Sequence, residues 1–157
     1  MSTRRKEVHF FDHHFDRGIA WYEKFFPSED EACQYQAIGE FTPQYLYRPL
    51  CPERIAATLA DPKLILILRN PVDRAYSHYK FKVQLANYSG SFETYLSTCP
   101  EVIEYGFYSR YLERYLRYFD RDQILVLIFE HAVVDIPGVK DSVARFLGVA
   151  ANRFPPG

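Results

Sequence analysis

KLILILRNPVDRAYSHY, residues 63–79, carries a short apolar run directly into the signals that start a helix. Lys63 to Leu68 is rich in Ile and Leu with no polar alternation, the pattern of a strand covered on both faces inside a parallel sheet. Arg69 ends the run with a charge. Asn70 is a favourable N-cap, Pro71 suits the first helical position, and Asp73 stands at the third, where a carboxylate reaches back to free amides. A helix is therefore predicted from Pro71. In open α/β sheets the ligand crevice lies at the carboxyl ends of strands, and a helix N-terminus offers unpaired N–H groups to an anion. Arg69 is placed to fork onto a phosphate there. Spacing alone leaves a second reading open, in which Arg69 pairs with a neighbouring carboxylate and Ser77 is a helix surface residue.

Outward from this stretch, strands are predicted near 7–11, 35–40, 63–69 and 123–129. Helices are predicted over 17–26, near 43–47, 52–60, 71–85, 91–97, 106–119 and 138–147. Such alternation argues for an α/β fold, a parallel sheet flanked by helices. Tyr108, Tyr111, Leu112, Tyr115, Leu116 and Phe119 recur at three- and four-residue steps, an amphipathic face suited to packing on the sheet.

The totals bound the function. A chain of 157 residues that is 48% hydrophobic and 17% aromatic builds one core, so a single domain over 1–157 is expected. Its formal net charge of −1 removes the broad attraction on which nonspecific nucleic-acid binding relies, so no nucleic-acid partner is expected. Cys33, Cys51 and Cys99 lack metal-type spacing and read as ordinary thiols. No run approaches a membrane span, and MSTRRKEVHF lacks the apolar core of a signal peptide, so a cytoplasmic location is expected.

If residues 7–11 are a strand, Glu7, His9 and Phe11 share one face while Val8, Phe10 and Asp12 share the other, so Glu7 and His9 meet the same substrate. Without further information Glu7 reads as an exposed charge at a strand start. His9, Asp12, His13, His14 and Asp16 invite a metal reading, but an extended segment makes their side chains diverge and their spacing fits no standard ligand pattern. No metal is expected. Glu40 ends another predicted strand, and Thr42-Pro43 is a helix cap, so Glu40 either supports a substrate crevice or serves the cap.

The segment from Arg69 to Ser77 resembles the 3′-phosphate-binding motif of sulfotransferases that use 3′-phosphoadenosine-5′-phosphosulfate (PAPS). KEVHFFD at 6–12, GIAWYEKFFP at 18–27, GEFTPQYL at 39–46 and YLERYLRYFDRDQILVLIFE at 111–130 resemble, in order, the heparan-sulfate-type branch of that family and its bacterial relatives. The resemblance implies a P-loop-like fold, PAPS as co-substrate, and Arg69 and Ser77 on its 3′-phosphate. It implies Glu7 as the base that takes a proton from the acceptor hydroxyl or amine, His9 as its helper, and Asp12 and Glu40 toward a small-molecule or glycan acceptor. No metal is required by that scheme. Relatives acting on glucosamine polymers commonly carry Lys where this chain has Phe41.

Enzymes of this type begin with a strand and a Gly/Lys/Thr-rich loop that holds the 5′-phosphosulfate, and they end in a Lys/Gly/Arg-rich loop. Neither is found in this sequence, so a partial domain lacking its first strand is expected, with apolar surface and backbone groups exposed where that strand would lie. The alternative is an inactive remnant that only binds a 3′-phosphorylated adenine nucleotide. A kinase-like nucleotide binder would carry GxxxxGK[ST], which is absent.

Overall fold

The computed structural model describes residues 7–150. Helices α1 (Phe10–His13), α2 (Ile19–Tyr22), α3 (Glu29–Ala32) and α4 (Cys51–Thr58) precede strand β1 (Leu64–Leu68). Then come α5 (Pro71–Leu85), α6 (Phe92–Thr98), α7 (Glu101–Glu104), α8 (Tyr108–Tyr115), β2 (Ile124–Ile128), α9 (Phe129–Ala132) and α10 (Ile136–Leu147). The two strands pair in parallel, Leu64 opposite Ile124 through Leu68 opposite Ile128. A helix-rich chain around a small parallel sheet is the α/β architecture expected.

The β1–α5 junction forms as its residues predict. Asn70 caps α5, its side-chain oxygen accepting from the amides of Val72 (2.9 Å) and Asp73 (3.3 Å), with Pro71 in the first turn. β1 departs from expectation in its burial. Leu68 is buried and Leu64 and Leu66 pack on the core, but Ile65 and Ile67 are 39% and 56% exposed, so only one face of the strand is covered among the described residues.

The strand expected at 7–11 is a different structure. Glu7 and His9 both take left-handed backbone conformations, each with φ 57°, and α1 follows at once. Two consecutive aromatics decide this. Phe10 and Phe11 are each 1% exposed, and a strand would turn one of them outward. Each buried Phe side chain contributes about 1.5–3 kcal/mol, which offsets roughly 1–2 kcal/mol for each left-handed residue. The freed backbone groups are also satisfied: the Phe10 and Phe11 amides donate to the Tyr45 hydroxyl (2.8 and 3.4 Å), and the Arg54 guanidinium donates to the Phe11 carbonyl (2.7 Å).

Other expected elements are shorter. The helix expected over 17–26 is broken because Gly18 sits at φ 75°, ψ 165°, so helical geometry begins at Ile19 and Phe26 is again extended. Over 35–40 no strand forms; only Gly39 makes an isolated bridge, and Tyr35 and Ile38 are exposed. The long helix expected over 106–119 is shortened to α8, and Gly106, in the turn between α7 and α8, lies close against Pro71. A Cβ there would lie 2.9 Å from that of Pro71.

The main core gathers Val8, Phe10, Phe11, Tyr22, Tyr45, Cys51, Ile55, Tyr115, Phe119 and Ile124; a smaller one joins Ala75, Tyr95 and Val102. Replacing Asn70 by Ala removes the cap acceptor and is expected to lower stability by about 1 kcal/mol, read as a reduced urea midpoint with an unchanged slope.

Candidate functional site

Two clusters of chemistry lie on either side of the turn Pro43–Leu46. On one side is a cleft of about 320 Å³, lined by Arg69, Arg74, Ser77, His78, Tyr47 and Tyr105 among others. Arg69 and Ser77 therefore face one cavity. Ser77 arrives there because it shares a face of α5 with Arg74, His78 and Phe81, at steps of three and four residues.

Both guanidinium groups have unused donors. The Nε atoms of Arg69 and Arg74 are buried without a hydrogen-bond partner, a costly arrangement unless an acceptor is supplied. Arg69 stacks over the Phe129 ring, 5.1 Å from its centroid, and no carboxylate forms an ion pair with it among the described residues. No carboxylate takes up Arg69 in an ion pair among the described residues, although its charge helps to lower the pKa of Glu130, and Ser77 is exposed on α5. Glu130, the nearby acid, instead accepts from the Asn70 amide at 2.8 Å, and that bond chiefly lowers its pKa. Arg74 lies 5.9 Å from the Tyr105 ring and donates to the Val102 carbonyl. The backbone of Arg69 is held as well, its carbonyl accepting from the Tyr108 hydroxyl at 2.9 Å. A second opening, at the carboxyl ends of β1 and β2, is lined by Leu68, Asn70, Pro71 and Ile128, with Arg69 shared between the two.

Sequence reasoning missed Arg74 and Tyr108. Arg74 was findable: three residues before Ser77 on a helix, it occupies the same face. Tyr108 gave only a packing signal.

On the other side of the turn, the left-handed residues bring Glu7, His9 and Asp12 together, and the opposite faces expected for His9 and Asp12 do not exist. His9 Nε2 lies 3.5 Å from Glu7 Oε2, and its Nδ1 lies 2.9 Å from Asp12 Oδ2. The histidine is thus flanked by two carboxylates, an arrangement that orients the ring. Asp12 also accepts from the His13 amide (2.9 Å) and lies 3.5 Å from the His13 ring. The stated ground for excluding a metal, diverging side chains, fails: donor atoms of His9, Asp12 and His13 all fall within 4.8 Å of one another.

Glu40 accepts three hydrogen bonds, from the hydroxyls of Tyr22 (2.8 Å), Thr42 (2.9 Å) and Tyr45 (3.0 Å). Burial first, then the Glu40 charge, raises the pKa of Tyr22 and Tyr45, so both phenols stay protonated and keep donating. Phe41, the next residue, is 57% exposed.

Three comparisons fit this geometry. Residues 3–154 match the model of the sulfotransferase domain. Human heparan sulfate glucosamine 3-O-sulfotransferase 3B1 is 34% identical over 152 residues, covering 91% of this chain and 38% of that protein. The bifunctional heparan sulfate N-deacetylase/N-sulfotransferase 1 of Xenopus tropicalis is 31% identical over 163 residues, covering 94% of this chain and 18% of that protein. The chain therefore spans well under half the length of either relative. A crystal structure of a sulfotransferase from Alicyclobacillus acidocaldarius superposes with a TM-score of 0.78 at 30% identity, over 99% of this chain and 73% of that one.

Two outcomes test the geometry. Tyr45→Phe leaves the buried Phe10 amide and Glu40 each one partner short, with an expected loss of about 1–3 kcal/mol in chemical denaturation. His78 accepts from or donates to the Tyr95 hydroxyl at 2.9 Å. Its pKa is lowered from 6.5 by burial first and then by Lys82 and Arg74. An NMR titration is expected to give a midpoint below that of a free histidine. Since the unfolded chain binds this proton more tightly, the contribution of His78 to stability is full above 6.5 and is lost as the pH falls toward the folded value.

With the family model covering nearly its whole length and an Arg/Ser-lined cleft at the end of β1, the chain belongs to the sulfotransferase domain family.

Proposed function

We propose that this chain transfers a sulfuryl group from PAPS to a hydroxyl or amine of an acceptor molecule. The observation that carries the reading is the single cleft shared by Arg69 and Ser77, with two buried guanidinium nitrogens still lacking acceptors. Those donors fit a phosphate monoester. Arg69 and Ser77 hold the 3′-phosphate of the donor nucleotide, and Arg74 adds positive charge to the same wall.

The donor supplies an activated sulfuryl group. As the acceptor oxygen or nitrogen forms its bond to sulfur, the bond from sulfur to the phosphate oxygen breaks, and adenosine 3′,5′-bisphosphate leaves with that electron pair. Glu7 takes the acceptor proton. His9, held between Glu7 and Asp12, fixes the orientation of that carboxylate. Such transfer depends on positioning and charge neutralisation more than on covalent chemistry by the protein, and no step calls for a metal ion.

For the acceptor, the heparan sulfate in the names of the relatives supports a glycan, with Asp12 and Glu40 toward its hydroxyls. The exposed Phe41 ring offers that acceptor an apolar face in place of a cation. A small hydroxylated molecule with an apolar portion meets the same requirements.

Calorimetry with adenosine 3′,5′-bisphosphate tests the donor half. Arg69→Ala is expected to weaken binding at least tenfold, the loss of one charge-assisted bond of about 1.5–3 kcal/mol, and unchanged affinity would sink the assignment. Glu7→Gln is expected to leave that affinity intact while lowering turnover by about 10²- to 10⁴-fold.

A further inference from the structure

We propose that His9, Asp12 and His13 form a binding site for a divalent transition-metal ion, zinc foremost, and that the bound ion inhibits the transfer by fixing His9 as a hydrogen-bond donor to Glu7. The inhibitory half rests on the roles proposed for Glu7 and His9. The binding half does not.

Geometry carries the binding half. His9 and His13 stand one helical turn apart with ring centroids 5.2 Å from each other, and the Asp12 carboxylate lies between them. Its Oδ2 is 2.9 Å from His9 Nδ1 and 3.5 Å from His13 Nε2. Around a tetrahedral zinc with bonds of about 2.0–2.1 Å, neighbouring donors stand roughly 3.3 Å apart. The two separations to Asp12 bracket that value and the two imidazole donors lie within 4.8 Å of each other, so drawing the rings together gives a three-ligand site with its fourth position open.

The state of Asp12 is a separate observation pointing the same way. Its side chain is 0% exposed, and its ion-pair partners among the described residues are the two imidazoles, with no Lys or Arg. The His13 amide fixes the carboxylate by donating to Oδ1, leaving Oδ2 between the rings. His13, 52% exposed, gives the ion a route in from solvent. Two imidazoles and a carboxylate are donors that suit zinc better than magnesium or calcium.

Glu7 completes the arrangement. It stands 3.5 Å from Nε2 of His9, the nitrogen that the metal does not use, in the place of the carboxylate that commonly orients a metal-bound histidine. A neutral imidazole that ligates through Nδ1 carries its N–H on Nε2, where it donates to Glu7 and occupies the carboxylate proposed to receive the acceptor proton.

Untagged protein, without donor or acceptor, is titrated with Zn²⁺ by calorimetry and with Co²⁺ by visible absorption. One ion per chain is expected, with Co²⁺ bands typical of nitrogen and oxygen ligands. His13→Ala, at an exposed position, is expected to weaken Zn²⁺ binding at least ~10-fold, by analogy with the 10- to 100-fold loss on removing an outer partner, with unchanged circular dichroism. Equal affinity in the variant, or a thiolate charge-transfer band from Cys33 or Cys99, overturns the site. In a transfer assay, excess Zn²⁺ is expected to slow the parent protein and to spare His13→Ala. Zinc bound at these residues with no effect on transfer overturns the inhibitory half, and loss of adenosine 3′,5′-bisphosphate binding in Arg69→Ala remains a separate check on the donor cleft.

Discussion

A single phenol oxygen, that of Tyr45, joins the two candidate half-sites of this molecule. It accepts from two successive backbone amides at the start of α1 and donates to Glu40, which uses its whole hydrogen-bonding capacity. The left-handed entry into α1 is tolerable because these otherwise orphaned amides find a partner there. The Tyr45 carbonyl is held in turn by the Tyr115 hydroxyl at 2.9 Å, so the turn that carries this oxygen is fastened to α8. Neighbours of Tyr45 on the same turn face the opposite cleft, since Gln44 and Tyr47 line it. The two candidate half-sites are thus walls of one short segment.

Tyrosines do the same work elsewhere. Tyr108, Tyr111 and Tyr115 lie along one helix and donate to the carbonyls of Arg69, Glu104 and Tyr45. Their rings contribute buried apolar area while their hydroxyls act as struts of fixed length, which suits a small sheet that gives the site little rigidity of its own. The polar balance of the cleft is different in kind. There the arginines retain buried N–H groups without acceptors, a local cost that an anion would remove.

How much could be read from the residues follows from how local each signal was. The β1–α5 junction was legible to the residue because Asn70, Pro71 and the apolar run act within one turn of each other. The pairing of Arg69 with Ser77 came from the resemblance and not from spacing, and both residues line one cavity. Around residues 7–12 the decisive forces are long-range: the burial of both Phe10 and Phe11 and the hydroxyl of Tyr45, 35 residues away, override the strand pattern. Two-residue alternation therefore failed for His9 and Asp12, and with it the case that their side chains diverge. The coverage of β1 was misjudged for a related reason, because Ile65 and Ile67 carry the apolar signature of burial while lying open.

Left-handed backbone at Glu7 and His9 places the side chains of this corner by main-chain torsion rather than by rotamer choice alone. Substitutions at these two positions are consequently filtered by stereochemistry, whatever role the side chains play. Asn, Asp and Gly enter at little conformational expense, whereas Val, Ile and Thr are disfavoured whatever their polarity. In a lineage released from selection on activity, the corner would drift toward the first group, and its loop geometry would outlast its chemistry.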